Sequence, residues 1–210
     1  MKKKKQVIYT DYEAEKFLSK YIETAENQLV KKVEDIRIKT PLVLKIISPQ
    51  ALHKSDIGGV KIVRKQEDVE EAFHELLTIV KKRRIKLDGI LAQKYIEGTK
   101  LIIGIKKDEV FGHIILFGVG GIFTELFEDT SIRKCPIDKN DAQEMIDELR
   151  AKKLFYGFRG KKLNRELLKK TLVKISEIPG KNKKILEMDI NPFILTEKRG
   201  VVVDARIVFE

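Results

Sequence analysis

The sequence predicts an α+β fold in two lobes, and three observations predict it. Apolar runs of strand length come in neighbouring pairs joined by turn residues, as antiparallel hairpins do. Between those pairs stand amphipathic stretches with helical spacing. At 210 residues, 42% of them hydrophobic, the chain is long enough to bury a sizeable core. The pattern divides into a helical N-terminal extension over 1–40, a small lobe over 41–95 and a large lobe over 96–210.

In chain order, Asp11 to Lys32 carries apolar residues at helical spacing (Ala14, Phe17, Leu18, Tyr21, Ile22, Ala25, Leu29) with acids in its first turns, and predicts a helix. Leu42–Ile47 reads as a buried strand closed by Ser48-Pro49, and Gly59–Val63 as its returning partner. Glu67 to Lys82 is amphipathic, and Gly89–Lys94 is strand-like again. Leu101–Ile105 and Ile114–Phe117 form a hairpin by pattern, turning at Lys107-Asp108-Glu109. Asp138 and Asp141 stand at the start of a helix over 142–150, and Asn164 caps one carrying Leu168, Leu172 and Ile175. Lys184–Ile190 and Val201–Val208 are the last two strands, joined through Pro192 and the turn 196–200.

Composition narrows the function classes. No run approaches the roughly 18 to 20 apolar residues of a membrane helix, and Met1-Lys-Lys-Lys-Lys-Gln has no apolar stretch of a signal peptide behind it, so a cytoplasmic protein is expected. The single cysteine, Cys135, excludes an internal disulfide and a cysteine metal cluster, and reads as a core or strand residue. The net charge of +11 comes from 43 basic and 32 acidic residues. Its lysine runs are scattered and not interleaved with aromatics, so the charge does not point to nucleic acid.

Four places carry chemistry. His53 lies between an apolar strand and Gly58-Gly59, followed by a cation, a hydroxyl and a carboxylate, which suits a phosphate-handling loop; a plain turn built from Ser, Asp and Gly is the other reading. Lys45 projects from an otherwise apolar strand, where an amine calls for an anion or for snorkelling to the surface. Glu187, Asp189 and Asn191 fall on one strand face, with Asp204 on the strand returning beside it. Such oxygens suit Mg²⁺, and equally a solvated face paired with Arg206. Gly118, Gly120 and Gly121 follow a strand, so backbone N–H groups there can approach a phosphate, although neither a P-loop nor a dinucleotide fingerprint is present. His74 and His113 sit inside a helix and at a strand start, as structural histidines do.

The segments LKIISPQALHKSDIGGVK, FGVGGIFTELFEDTSIR and EMDINPFI followed by GVVVDARI together resemble the ATP-grasp fold. More closely, they resemble the β subunit of ADP-forming acetyl-CoA (acyl-CoA) synthetase, a relative of the succinyl-CoA synthetase β subunit. The resemblance runs from about residue 40 to the C-terminus. It implies two α+β lobes with the nucleotide between them, and an acid–CoA ligase using ATP or ADP and Mg²⁺. It also implies a CoA-binding α subunit as partner in a hetero-oligomer, with CoA and the acyl substrate held there.

Carried over by residue, the resemblance implies that Lys45 contacts nucleotide phosphates, that Gln93, Lys94, Tyr95 and Ile96 line the adenine pocket, and that Glu97 reaches the ribose. Asp189, Asn191 and Asp204 would hold Mg²⁺. His53 would be the phosphorylated histidine of a swinging loop, with Gly58-Gly59 as its hinge. Gly120, Gly121, Glu125 and Arg133 match a segment along the phosphate path, and Gly157-Phe-Arg159-Gly160 matches another. One departure is Lys100, where the family carries an acid. A stand-alone ATP-grasp carboxylate ligase and a non-catalytic basic scaffold binding nucleotide or RNA are the alternatives.

Overall fold

The computed structural model describes residues 6–49, 54, 56–120, 129–157 and 162–210. The chain divides into two compact units, one of Thr10–Glu13 and Ala25–Ile96, the other of Met1–Tyr9, Ala14–Thr24 and Glu97–Glu210. A short strand β1 (Val7–Tyr9) precedes helix α1 (Asp11–Leu18). Thr10 starts the helix, its N–H and hydroxyl both donating to the Glu13 carboxylate at 2.8 and 2.9 Å. The helix expected to reach Lys32 stops at Leu18, and Asn27–Val30 is instead a strand, β2. Tyr21 and Ile22 turn back with their N–H groups on the Leu18 carbonyl. Beyond them the apolar residues are too few to choose between periods, and backbone pairing with a distant strand decides.

In the smaller unit, β2 joins β3 (Leu42–Ile47), β4 (Val60–Val63) and β5 (Gly89–Lys94) in an antiparallel sheet of order β2-β5-β3-β4. Alternation along β3 sends Leu42, Leu44 and Ile46 to one face, where Phe73 and Leu76 of helix α2 (Val69–Arg83) cover them with Ile90 and Ala92. Glu70 and Glu71 open α2 and Lys81 to Arg83 end it, matching the helix dipole at both ends. The opposite face carries Val43 and Lys45 of β3 beside Gln93 and Leu91 of β5, their register partners.

The larger unit is built on seven described strands. β6 (Thr99–Asp108) and β7 (Gly112–Val119) form the expected hairpin, its turn two residues later than expected, with β8 (Thr130–Lys134) added at the edge. On the other side β9 (Ile185–Leu195) pairs with β6, β10 (Gly200–Val202) and β11 (Ala205–Phe209), and β1 lies outside β11. Two features of this region depart from expectation. β9 runs on through Pro192, and the returning stretch is two strands separated at Val203-Asp204. The proline survives in the strand because the pairing with β6 slips between Leu101 and Ile103, leaving Asn191-Pro192 outside the ladder.

One face of this sheet packs Ile103, Phe117, Met188 and Ile190 against helices α3 (Lys139–Glu148) and α4 (Arg165–Lys181). Asp138 and Asp141 form a reciprocal capping box on α3, and the Asn164 side chain accepts the Leu167 N–H to cap α4. No helix of the described residues is long and apolar enough to cross a membrane. Asp129, nearly buried, accepts the N–H groups of Arg150 and Ala151 at 2.7 and 2.9 Å and so starts the 3₁₀ segment Arg150–Tyr156. Asp129→Ala leaves both donors without that acceptor and is expected to destabilise the protein by about 1–3 kcal/mol, measured as a lowered urea midpoint with unchanged slope.

Candidate functional site

On β3, Lys45 is only 4% exposed, so its amine does not snorkel to solvent. It lies on the face opposite the α2-covered core, between Val60 and Leu91 in register. A cation placed there serves an anion with little competition from water.

Downstream, His53 lies outside the described residues, and Gly59 is held by backbone hydrogen bonds on both sides. Gly59 donates its N–H to the Lys54 carbonyl at 2.7 Å and accepts from Ile46 at 2.9 Å. A Cβ on Gly59 would meet the Lys54 carbonyl oxygen at 2.9 Å, and Gly58 adopts φ +73°. Gly58 and Gly59 build a tight turn, Gly59 by close backbone approach and Gly58 by its left-handed conformation. Lys54 is itself buried and ion-paired with Asp11 of α1.

The 93–97 segment ends β5. Gln93 is buried on the Lys45 face, whereas Lys94 turns to the other side and donates its Nζ to the Lys39 carbonyl at 3.0 Å. The Lys94 and Tyr95 N–H groups are held by Glu26 and Pro41 carbonyls. The Arg64 guanidinium stands 5.4 Å from the centre of the Tyr95 ring. Ile96 is half-buried and Glu97 exposed.

In the larger unit, β9 presents Glu187 and Asp189 on the face away from the helices. Asp189 is flanked in register by Gly104 of β6 and Arg206 of β11. The Asn191 backbone N–H donates to the Asp204 backbone carbonyl at 3.1 Å, which sets the two residues side by side. Glu187 and Asp189 border a concavity of about 470 Å³ lined also by Ile102, Gly104, Lys106, Leu116 and Arg206 among others. Asp189 touches solvent, yet protein crowding around it raises its carboxyl above the ordinary range; the nearby Asp204 charge adds to the rise and Arg206 opposes it. The Arg206 Nε is buried without a hydrogen-bond partner among the described residues.

Among the described residues no three His, Cys, Asp or Glu side chains converge as a metal site. The candidate set is two carboxylates and an amide, all hard oxygen donors. The mutual repulsion of Asp189 and Asp204 is what a divalent cation relieves, so the residues fit Mg²⁺.

The remaining candidates divide. Gly120 is buried, donates to the Lys100 carbonyl at 2.8 Å, and would bring a Cβ within 3.2 Å of it. Gly121, Glu125, Arg159 and Gly160 lie outside the described residues. Arg133, expected along the phosphate path, is held by Glu148 and Glu144 of α3 and donates to the Ser131 hydroxyl. His113 donates Nε2–H to the Ile185 carbonyl at 2.8 Å, and His74 faces Glu70 along its helix. Burial pushes the Cys135 thiol up to about 12, so it stays protonated at neutral pH. Two residues now joining the site went unassigned in the sequence, Gly104 and Arg206. A glycine inside a strand was the available signal for the first; Arg206 stood there only as an ion-pair partner.

Residues 1–209 match the family described as the ATP-grasp domain, so the similarity includes the N-terminal forty residues as well. The chain is 40% identical, over 80% of its length and 75% of the relative's, to the acetate–CoA ligase [ADP-forming] I subunit beta of Pyrococcus furiosus. It is 38% identical to acetate–CoA ligase [ADP-forming] I of Archaeoglobus fulgidus, of which it spans 29%. Two solved structures of the dinucleotide forming acetyl-coenzyme A synthetase 1 of Ca. Korarchaeum cryptofilum superpose closely. One, in complex with coenzyme A, Ca-AMPCP and HgCl⁺, has a TM-score of 0.92 at 41% identity, covering 97% of this chain and 93% of that one. The other, with a phosphorylated phosphohistidine segment, gives 0.87 at 39% identity over the same shares.

The raised Asp189 carboxyl has a stability consequence. Its folded-state value lies above the unfolded one, so the ionised group opposes folding, and the opposition fades as pH falls through the interval between the two values. Without divalent cations, Asp189→Asn should have a higher urea midpoint than the wild type near neutral pH, with the gap closing on acidification. A gap independent of pH would remove electrostatics as its cause.

Proposed function

This chain belongs to the ATP-grasp domain family, and from that premise we propose that it is the nucleotide-handling β subunit of an ADP-forming acyl-CoA synthetase. With a CoA-binding α subunit in a hetero-oligomer, it interconverts acyl-CoA, ADP and phosphate with free acid, CoA and ATP. The observation that carries this reading is the Asp189 and Asp204 carboxylate pair beside the orphaned Arg206 Nε on an open sheet face. Mutually repelling acids next to a cation with an unfilled donor suit a metal-bound phosphate. The named relatives supply the reaction class.

In this reading His53 carries the phosphoryl group. Its ring nitrogen receives phosphorus from a donor on the partner, and in the forward direction a terminal phosphate oxygen of ADP displaces that nitrogen. The N–P bond breaks as the O–P bond forms, and ATP leaves. Phosphoryl transfer needs positioning and charge neutralisation above all. The Lys45 amine, buried where water screens it little, neutralises phosphate charge, and the segment carrying Gly120, Gly121 and Glu125 serves the path of the transferred group. Gln93 to Ile96 recognise the base, and Glu97 the ribose. Asp189, Asn191 and Asp204 would hold Mg²⁺, which supplies charge neutralisation when bound. The Gly59 N–H on the Lys54 carbonyl and the Lys54 ion pair with Asp11 anchor the chain beside His53.

Acid-labile phosphate should appear on the wild-type chain incubated with the α subunit, acyl-CoA and phosphate, and be absent from His53→Ala; equal labelling of the two removes the relay. Mg²⁺-dependent thermal stabilisation by ADP should be lost in Asp189→Ala, because a ligand that binds only the folded state raises its apparent stability.

A further inference from the structure

Gly104 has no reason in the fold to be glycine. It lies inside β6, where a glycine weakens a strand. Apart from Gly180, away from this sheet, the other described glycines are explained locally. A Cβ would come within 2.6 Å of Ile194 at Gly98, 2.8 Å of the Asp129 carbonyl at Gly118 and 2.5 Å of Phe193 at Gly200. Gly58, Gly112 and Gly157 have positive φ, and Gly180 is exposed in the last turn of α4. At Gly104 the backbone is ordinary and a Cβ would make only van der Waals contacts, 3.7 Å from the Leu116 Cβ and 4.0 Å from the Met188 carbonyl.

What distinguishes the position is where its missing side chain would point. Gly104 is the direct cross-strand neighbour of Asp189 and of Leu116, so its side-chain direction is onto the open face. There it forms the floor of the concavity bordered by Asp189, Lys106 and Arg206. Half-buried apolar side chains at Ile102 and Leu116 flank it, so the bare backbone is a dip between taller neighbours.

We propose that Gly104 is a specificity-determining residue of the nucleotide site, whose absent side chain leaves the space in which the bound nucleoside phosphate packs directly on the strand backbone beside Asp189. This rests on the nucleotide reading above. A side chain here fills ligand space while leaving the fold intact, since strand propensity favours valine over glycine.

The test is Mg·ADP binding by titration calorimetry to wild type, Gly104→Ala and Gly104→Val, with thermal melts of each protein alone. Both variants are expected to melt cooperatively at or above the wild-type temperature without nucleotide. Gly104→Val should bind Mg·ADP roughly tenfold to a hundredfold more weakly, the range for a misplaced methyl or two in a fitted pocket. Wild-type affinity in Gly104→Val overturns the proposal and leaves the nucleotide reading standing. If that variant melts without cooperativity, Gly104→Ala decides, a weakened affinity supporting the proposal and an unchanged one overturning it. Absence of binding by the wild type overturns the nucleotide reading and this inference with it.

Discussion

The larger unit depends on where the alternation of β9 falls. Met188 and Ile190 must enter the core shared with α3 and α4, and the period of two then forces Glu187 and Asp189 onto the opposite face. A slip of one residue would bury two carboxylates and expose two core side chains, so hydrophobic packing sets the direction in which the acids point. Pairing with β6 on one side and β11 on the other then puts Gly104 and Arg206 on either flank of Asp189. The irregularity at Asn191-Pro192 completes the arrangement. Released from the β6 ladder, the Asn191 backbone N–H reaches the Asp204 backbone carbonyl, and the Asp204 charge lies close enough to Asp189 to be felt there.

A similar division organises the smaller unit. Leu42, Leu44 and Ile46 satisfy α2, which leaves Lys45 to the other face with Gln93 as a buried neighbour. The amine is held in place by the burial of the residues before and after it. At the loop following β3, the Lys54 carbonyl and Gly59 N–H close a turn that tolerates no Cβ at Gly59, and the Asp11 ion pair fastens the same turn from α1. Glycine serves three distinct ends in this chain: close backbone approach at Gly59, a left-handed turn at Gly58, and open space at Gly104.

Much of this was legible from residue order. The limits of β3 and β5 were read as they stand, because each is a dense apolar run bounded by turn residues. The caps at Asp138 and Asn164 were legible because a cap is a local event within three residues. Errors arose where the partner is remote. Asn27–Val30 is a strand because β5, more than sixty residues away, supplies its hydrogen bonds, and the spacing of its few apolar residues fits a helix equally well. β8 is a short edge strand whose exposed Ile132 and charged neighbours give it no alternation to detect. The ion pairs of Arg133 with Glu144 and Glu148 are of the same remote kind, since both acids come from a helix that the segment carrying Arg133 does not include.

The sequence by itself determined the α+β class, the hairpins, the helix starts and the types of side chain available for phosphate chemistry, since each follows from local periodicity, capping or composition. Tertiary structure alone decided which of those side chains meet. That Asp189 stands between Gly104 and Arg206, that Lys54 is tied to Asp11, and that Gly104 opens onto a concavity follow from strand register and chain crossing. Those depend on contacts between residues tens of positions apart, and no local pattern encodes them, because the energy that selects a register is the burial of a whole face at once.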